Sequence, residues 1–190
     1  GNPVPQVKDT RLPFVVFYPK SSFPAPYPVI IVQHGIYSRK EYFYDLVPNF
    51  TGQGYAVAMM DFPYHGEREG EGVGMPPLEF IDFSYPLKAR ASFMQGALDQ
   101  LQLARLLASW TGDFFPAGGD GKVDIDTAHI GYWGHSLGGI VGTTTFGLSK
   151  DMNCFVSTAG GGGLVDFLGY FMSAYGLGVA YPEYQLMEFA

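Results

Sequence analysis

His129-Ile130-Gly131-Tyr132-Trp133-Gly134-His135-Ser136-Leu137-Gly138-Gly139-Ile140-Val141-Gly142 decides the reading of this chain. An apolar, aromatic run leads into Gly-x-Ser-x-Gly, and small residues in a helix-compatible pattern follow. That is the layout of a nucleophile elbow, where a sharp strand-to-helix turn lifts a serine above the end of a parallel sheet. Glycines at 134 and 138 suit such a turn, because side chains there would collide across it. A helix starting after Ser136 aims its N-terminal amides, and the positive end of its dipole, at the point where an oxyanion would form. In a chain with 26 glycines the five-residue pattern is weak by itself. The strand before it and the helix after it carry the reading; the competing one is a Gly-rich turn that only packs.

Working outward, the upstream chain alternates strands with helices. Leu12–Tyr18 reads as a strand near a sheet edge, because Pro13 cannot donate to a ladder. Val29–Val32 is a short continuous apolar run, the pattern of a strand covered on both faces. His34-Gly35-Ile36-Tyr37 follows it. A helix is expected next, opened by a capping box of Ser38 and Glu41, kinked by Pro48 and stopped at Gly52 and Gly54. Tyr55–Met60 is the next buried strand, completing one right-handed crossover.

Asp61-Phe62-Pro63-Tyr64-His65-Gly66-Glu67-Arg68 forms a polar loop at that strand's carboxyl end, and a long connection runs from Glu69 to Pro86. A helix over about Lys88–Ser109 carries Met94, Ala97, Leu101, Ala104 and Ala108 at helical spacing, with Gln95, Asp99 and Gln102 on another face. That stripe is a core face, not a cofactor box. The aspartates of Gly118–Asp126 lack the spacing and closing glutamate of a calcium loop, so a turn is expected, with Asp126 capping the approach to the strand. After the elbow helix, Cys154–Thr158 is a further strand, followed by a glycine run and the apolar, aromatic segment 164–190. The class is α/β, a mainly parallel sheet flanked by helices, in a single domain over 1–190.

Composition bounds the partners. The chain has 190 residues, 11 basic against 18 acidic side chains, and a net charge of −7. Without a Lys/Arg cluster, nucleic acid and anionic membrane surfaces are poor partners. The single cysteine, Cys154, excludes an internal disulfide and a multi-cysteine metal site, and its apolar setting predicts a buried structural thiol. No metal and no cofactor is expected. No signal-peptide pattern and no clean apolar span of transmembrane length is present, which leaves the compartment open.

Three motifs occur in the order typical of α/β-hydrolases: Pro28-Val-Ile-Ile-Val-Gln-His34-Gly35, Asp61-x-x-x-His65-Gly66-x-Arg68, and Gly134-His-Ser136-Leu-Gly-Gly139-Ile-Val-Gly142. Over about Leu12–Gly163 the chain resembles the bacterial extracellular (virulence-factor) lipase/esterase group. The resemblance implies ester hydrolysis on a small-molecule or lipid ester, with an extracellular or cell-envelope location. Ser136 would be the nucleophile, and the backbone N–H groups of Leu137 and Ile36 the oxyanion donors. His34 would brace its loop, and Asp61 and His65 would be structural.

The chain departs from that pattern in one respect. In this fold the acid and histidine follow the serine, yet the four histidines are His34, His65, His129 and His135, all before Ser136. Asp166 is a candidate acid, its other reading being a capping or solvated aspartate. The simplest account is an N-terminal part of a hydrolase, its sheet incomplete on the C-terminal side, with histidine and acid on a further segment or a second polypeptide. Segment 164–190 reads equally as a lid or acyl-chain wall and as a plain core helix. A scaffold that kept the fold and lost the base is the alternative function. A peptidase, thioesterase or acyltransferase on the same fold is another.

Overall fold

The computed structural model describes residues 11–20, 22–71, 76–82 and 85–162. The expectations for 164–190, Asp166 included, lie outside them. The strands are β1 (Phe14–Phe17), β2 (Tyr27–Gln33), β3 (Ala56–Met60), β4 (Ile125–His135) and β5 (Cys154–Thr158). The α-helices are α1 (Val47–Thr51), α2 (Pro76–Phe80), α3 (Pro86–Ala108) and α4 (Leu137–Leu148). The sheet order is β1-β3-β2-β4-β5, with β1 antiparallel on the edge and the rest parallel. This is the expected α/β class, a mixed and mainly parallel sheet flanked by helices.

The inner strands β2 and β3 are covered on both faces, which is why they read as unbroken apolar runs. Successive side chains point to opposite faces. Val29, Ile31, Ala56, Ala58, Met60, Ile130 and Tyr132 therefore pack with Leu103, Ala104 and Leu107 of α3. Ile30, Val32, Val57, Met59 and Trp133 pack on the other face, with Phe43, Val47 and Phe50. Full burial of each such Val, Ile or Leu contributes about 1.5–3 kcal/mol.

Several expectations are corrected. The segment after β2 is not one capped and kinked helix. A 3-10 turn over Lys40–Leu46 leads into the short α1, with Arg39 at the N-cap, no side-chain cap bond, and Pro48 in the first turn of α1. Proline is accommodated there because the N–H it lacks has no partner in a first turn. On α3, Met94 is 53% exposed, while Asp99 and Gln100 are buried. Polarity misplaced that face, since Arg68 neutralises Asp99 at 2.7 Å and Gln100 donates to Gln33. Cys154 is exposed, not buried, because β5 is the last strand of the sheet among the described residues. Asp126 sits inside β4, accepting the Ala128 N–H at 3.1 Å. Among the described residues, no helix is long and apolar enough to cross a membrane.

Candidate active site

β4 ends at His135 and α4 begins at Leu137, so the strand-to-helix turn is made by one residue, Ser136. Its φ of 52° and ψ of −115° lie where a residue with a side chain pays a strain cost of about 1–3 kcal/mol. The surroundings impose that conformation. The Ser136 N–H donates to the Thr158 carbonyl on β5 at 2.8 Å, and the Ser136 carbonyl accepts from Gly139 at 2.9 Å and Ile140 at 3.0 Å. A Cβ on Gly134 would fall 2.3 Å from the Gly138 carbonyl oxygen, and one on Gly138 would fall 2.5 Å from that of Gln33. Only glycine permits so close a crossing of chain on chain.

The loop after β2 lies against this turn: a Cβ on Gly35 would be 3.1 Å from the Ser136 Cβ. Among the described residues, the Ile36 amide makes no hydrogen bond. The Leu137 amide stands in the first turn of α4, where the helix has no carbonyl to offer it. Leu137 belongs to an apolar cluster with Phe62, Phe80, Ala97 and Val141, and Ile36, Tyr64, Ile81 and Phe93 pack on its edge. The fold thus gathers Ser136, Leu137 and Ile36 at the carboxyl ends of β2 and β4. Ser136 and Ile36 are each part-exposed there.

Backbone strain marks the same edge. Among the described residues, the non-glycine positions with positive φ are Tyr37 (56°), Tyr64 (63°), Ser136 (52°) and Ala159 (53°). Each lies just past the carboxyl end of one parallel strand, β2, β3, β4 and β5 respectively. In open α/β sheets that edge is where ligands bind.

Solved structures with this topology include a 2,6-dihydroxy-pseudo-oxynicotine hydrolase (TM-score 0.52, 20% identity, 74% of this chain and 31% of that one). An acetyl xylan esterase from a Paenibacillus species gives a TM-score of 0.55 at 18% identity, over 94% of this chain and 52% of that one. A thermostable carboxyl esterase from Bacillus coagulans gives 0.51 at 16% identity, over 93% and 50%. The fold is that of the α/β-hydrolases. No protein-family model matches the sequence, and no curated protein does. The chain spans between about a third and about half of the length of these hydrolase-fold structures.

Within that fold the remaining polar residues hold the loops. His34 is buried; its Nδ1–H donates to the Gly35 carbonyl at 2.7 Å and its Nε2 accepts the Phe62 N–H at 3.2 Å. Burial pulls its pKa down to about 4, against opposing hydrogen-bond and carboxylate effects. The Asp61 oxygen 3.5 Å away therefore faces a neutral ring, not an ion-pair partner. His34 braces its loop as expected.

Asp61 accepts from the Lys40 N–H at 2.8 Å and from Lys40 Nζ at 2.7 Å, and the Glu67 N–H reaches it at 3.2 Å. Burial alone would raise the Asp61 pKa, but the Lys40 and Glu67 hydrogen bonds outweigh it and hold the carboxyl below its ordinary range. Glu41, Asp61 and Glu67 place oxygens close enough to ligate a cation, but the Lys40 ammonium already sits among them. His65 is buried, with Nδ1 2.8 Å from the Pro63 carbonyl.

The histidine rings are therefore committed elsewhere. His135 stacks on Trp133 and lies 3.4 Å from Thr158 Oγ1, and His129 pairs with Asp126 at 2.7 Å. Among the described residues, no hydrogen bond joins a histidine ring to the Ser136 hydroxyl. Sequence reading did not find the roles of Lys40, Arg68, Asp99 or Gln100. The basic residues inside otherwise polar loops were the available signal, but their partners lie far away in sequence.

Proposed function

We propose that this chain carries the nucleophile of a serine ester hydrolase. Ser136 Oγ attacks the ester carbonyl carbon, and the amides of Leu137 and Ile36 hold the resulting oxyanion. The C–O bond to the alcohol then breaks, the alcohol leaves with a proton, and water releases the acid from the acyl-enzyme. One observation carries the reading: the strained, part-exposed Ser136 between β4 and α4, with the unbonded Ile36 amide in the loop pressed against it. Each oxyanion donor of this kind is worth about 3–4 kcal/mol of transition-state stabilisation.

The histidine and acid would come from residues outside this sequence, as a further segment or a second polypeptide, since no histidine follows Ser136. The substrate would be a small-molecule or lipid ester, and the extracellular or envelope location rests on the motif resemblance to bacterial extracellular lipases and esterases. The missing base favours a second reading, a scaffold that binds without turnover. A fluorophosphonate probe applied to the full gene product separates the two. Labelling that Ser136→Ala abolishes supports the hydrolase; no labelling of the full product favours the scaffold.

A further inference from the structure

The residue after Ile36 is a tyrosine where the backbone calls for glycine. Tyr37 has φ 56°, the left-handed region, which disfavours side chains other than Gly, Asn and Asp. The strain is imposed by its flanks. Upstream, His34 is fixed to Gly35 and Phe62; downstream, the Lys40 N–H is fixed to Asp61. Between two pinned points the chain has little freedom to relax. Glycine at 37 would follow the same path with less strain.

The ring brings little packing in return, since Tyr37 is 56% exposed. Its place is the carboxyl edge of β2, one residue from the Ile36 amide and two from Gly35, which abuts Ser136. A bulky aromatic kept under strain, mostly in water and beside a candidate site, points to a contact made with something else.

We propose that Tyr37 is a substrate-contact residue whose ring packs against the apolar or aromatic group of the ester bound at Ser136. The proposal rests on the hydrolase reading for the identity of the ligand, but not for its test. The ring is rigid and amphipathic, so it can cover an apolar group while its hydroxyl stays in water. Tyr64, strained in the same way past β3 and packed on the edge of the Leu137 cluster, would border the same space.

The test uses the full gene product and p-nitrophenyl butyl ether, an inert analogue of a p-nitrophenyl ester. Its equilibrium binding is followed by intrinsic fluorescence, alongside thermal unfolding. Tyr37→Gly and Tyr37→Asn both suit the backbone and remove the ring. We expect each to weaken ether binding about three- to tenfold while Tm stays unchanged or rises. Tyr37→Phe should bind like the unaltered protein. Unchanged binding in the Gly and Asn variants, no binding of the ether to the unaltered protein, or a Phe variant as weak as the Gly variant would each overturn the proposal. A large fall in Tm for Tyr37→Gly would also overturn it, by making the ring a packing element. Fluorophosphonate labelling run in parallel tells the two ideas apart: normal ether effects without labelling sink the hydrolase reading alone.

Discussion

Acid should weaken this fold through His34. The ring is buried with both nitrogens engaged in the loop, and its pKa falls from the ordinary 6.5 to about 4 through burial. Between those two values the unfolded chain binds a proton that the folded chain does not, so stability declines as pH falls. The loss begins near pH 6.5, proceeds at about 1.4 kcal/mol per pH unit, and is complete below pH 4 at about 3 kcal/mol. Above pH 6.5 the group contributes no slope. The neighbours act in opposite senses, the His65 ring, 5.1 Å away centroid to centroid, opposing a charge on His34 and Asp61 favouring it, so burial sets the direction. Urea unfolding at pH 7, 6, 5 and 4.5 reads the slope, and His34→Gln, which cannot titrate, supplies the comparison. The absolute stability of that variant will be lower at every pH, because lost buried hydrogen bonds cost about 1–3 kcal/mol. Only the difference in slope is diagnostic. Parallel profiles for the two proteins, or a gain in stability on acidification, would refute the argument.

Ser136→Gly should stabilise the fold by about 1 kcal/mol by relieving the left-handed strain, whereas Ser136→Ala should stay within about 0.5 kcal/mol; both should lose fluorophosphonate labelling. Thermal melts and gel fluorescence read the two effects. Gly138→Ala sets a methyl 2.5 Å from the Gln33 carbonyl oxygen and should cost about 3 kcal/mol or prevent soluble expression, measured by urea midpoint and yield. Lys40→Met strips the cation from buried Asp61 and should cost about 3–5 kcal/mol at pH 7, with partial recovery in Lys40→Met/Asp61→Asn. A double variant no more stable than Lys40→Met would show that the charge on Asp61 is not the problem.

What could be read in advance was local. The apolar runs at 29–32 and 55–60, the Gly-x-Ser-x-Gly turn and the long amphipathic helix gave the α/β class and put Ser136 between a strand and a helix. Burial on α3 is not legible in advance because Asp99 looks like a solvent-facing residue until Arg68 is seen beside it. Cys154 was misread because an apolar run does not say whether its strand lies inside the sheet or at its border.

The sequence by itself determined the succession of the five strands, the long helix α3 and the serine's turn, since periodicity and glycine placement act over a few residues. Tertiary structure alone decided the order β1-β3-β2-β4-β5, the seating of Gly35 on Ser136 and the pairing of Lys40 with Asp61, 21 residues on. The reason is physical: such contacts are chosen by how whole elements pack, and a polar side chain carries no local mark of the distant partner that makes its burial affordable.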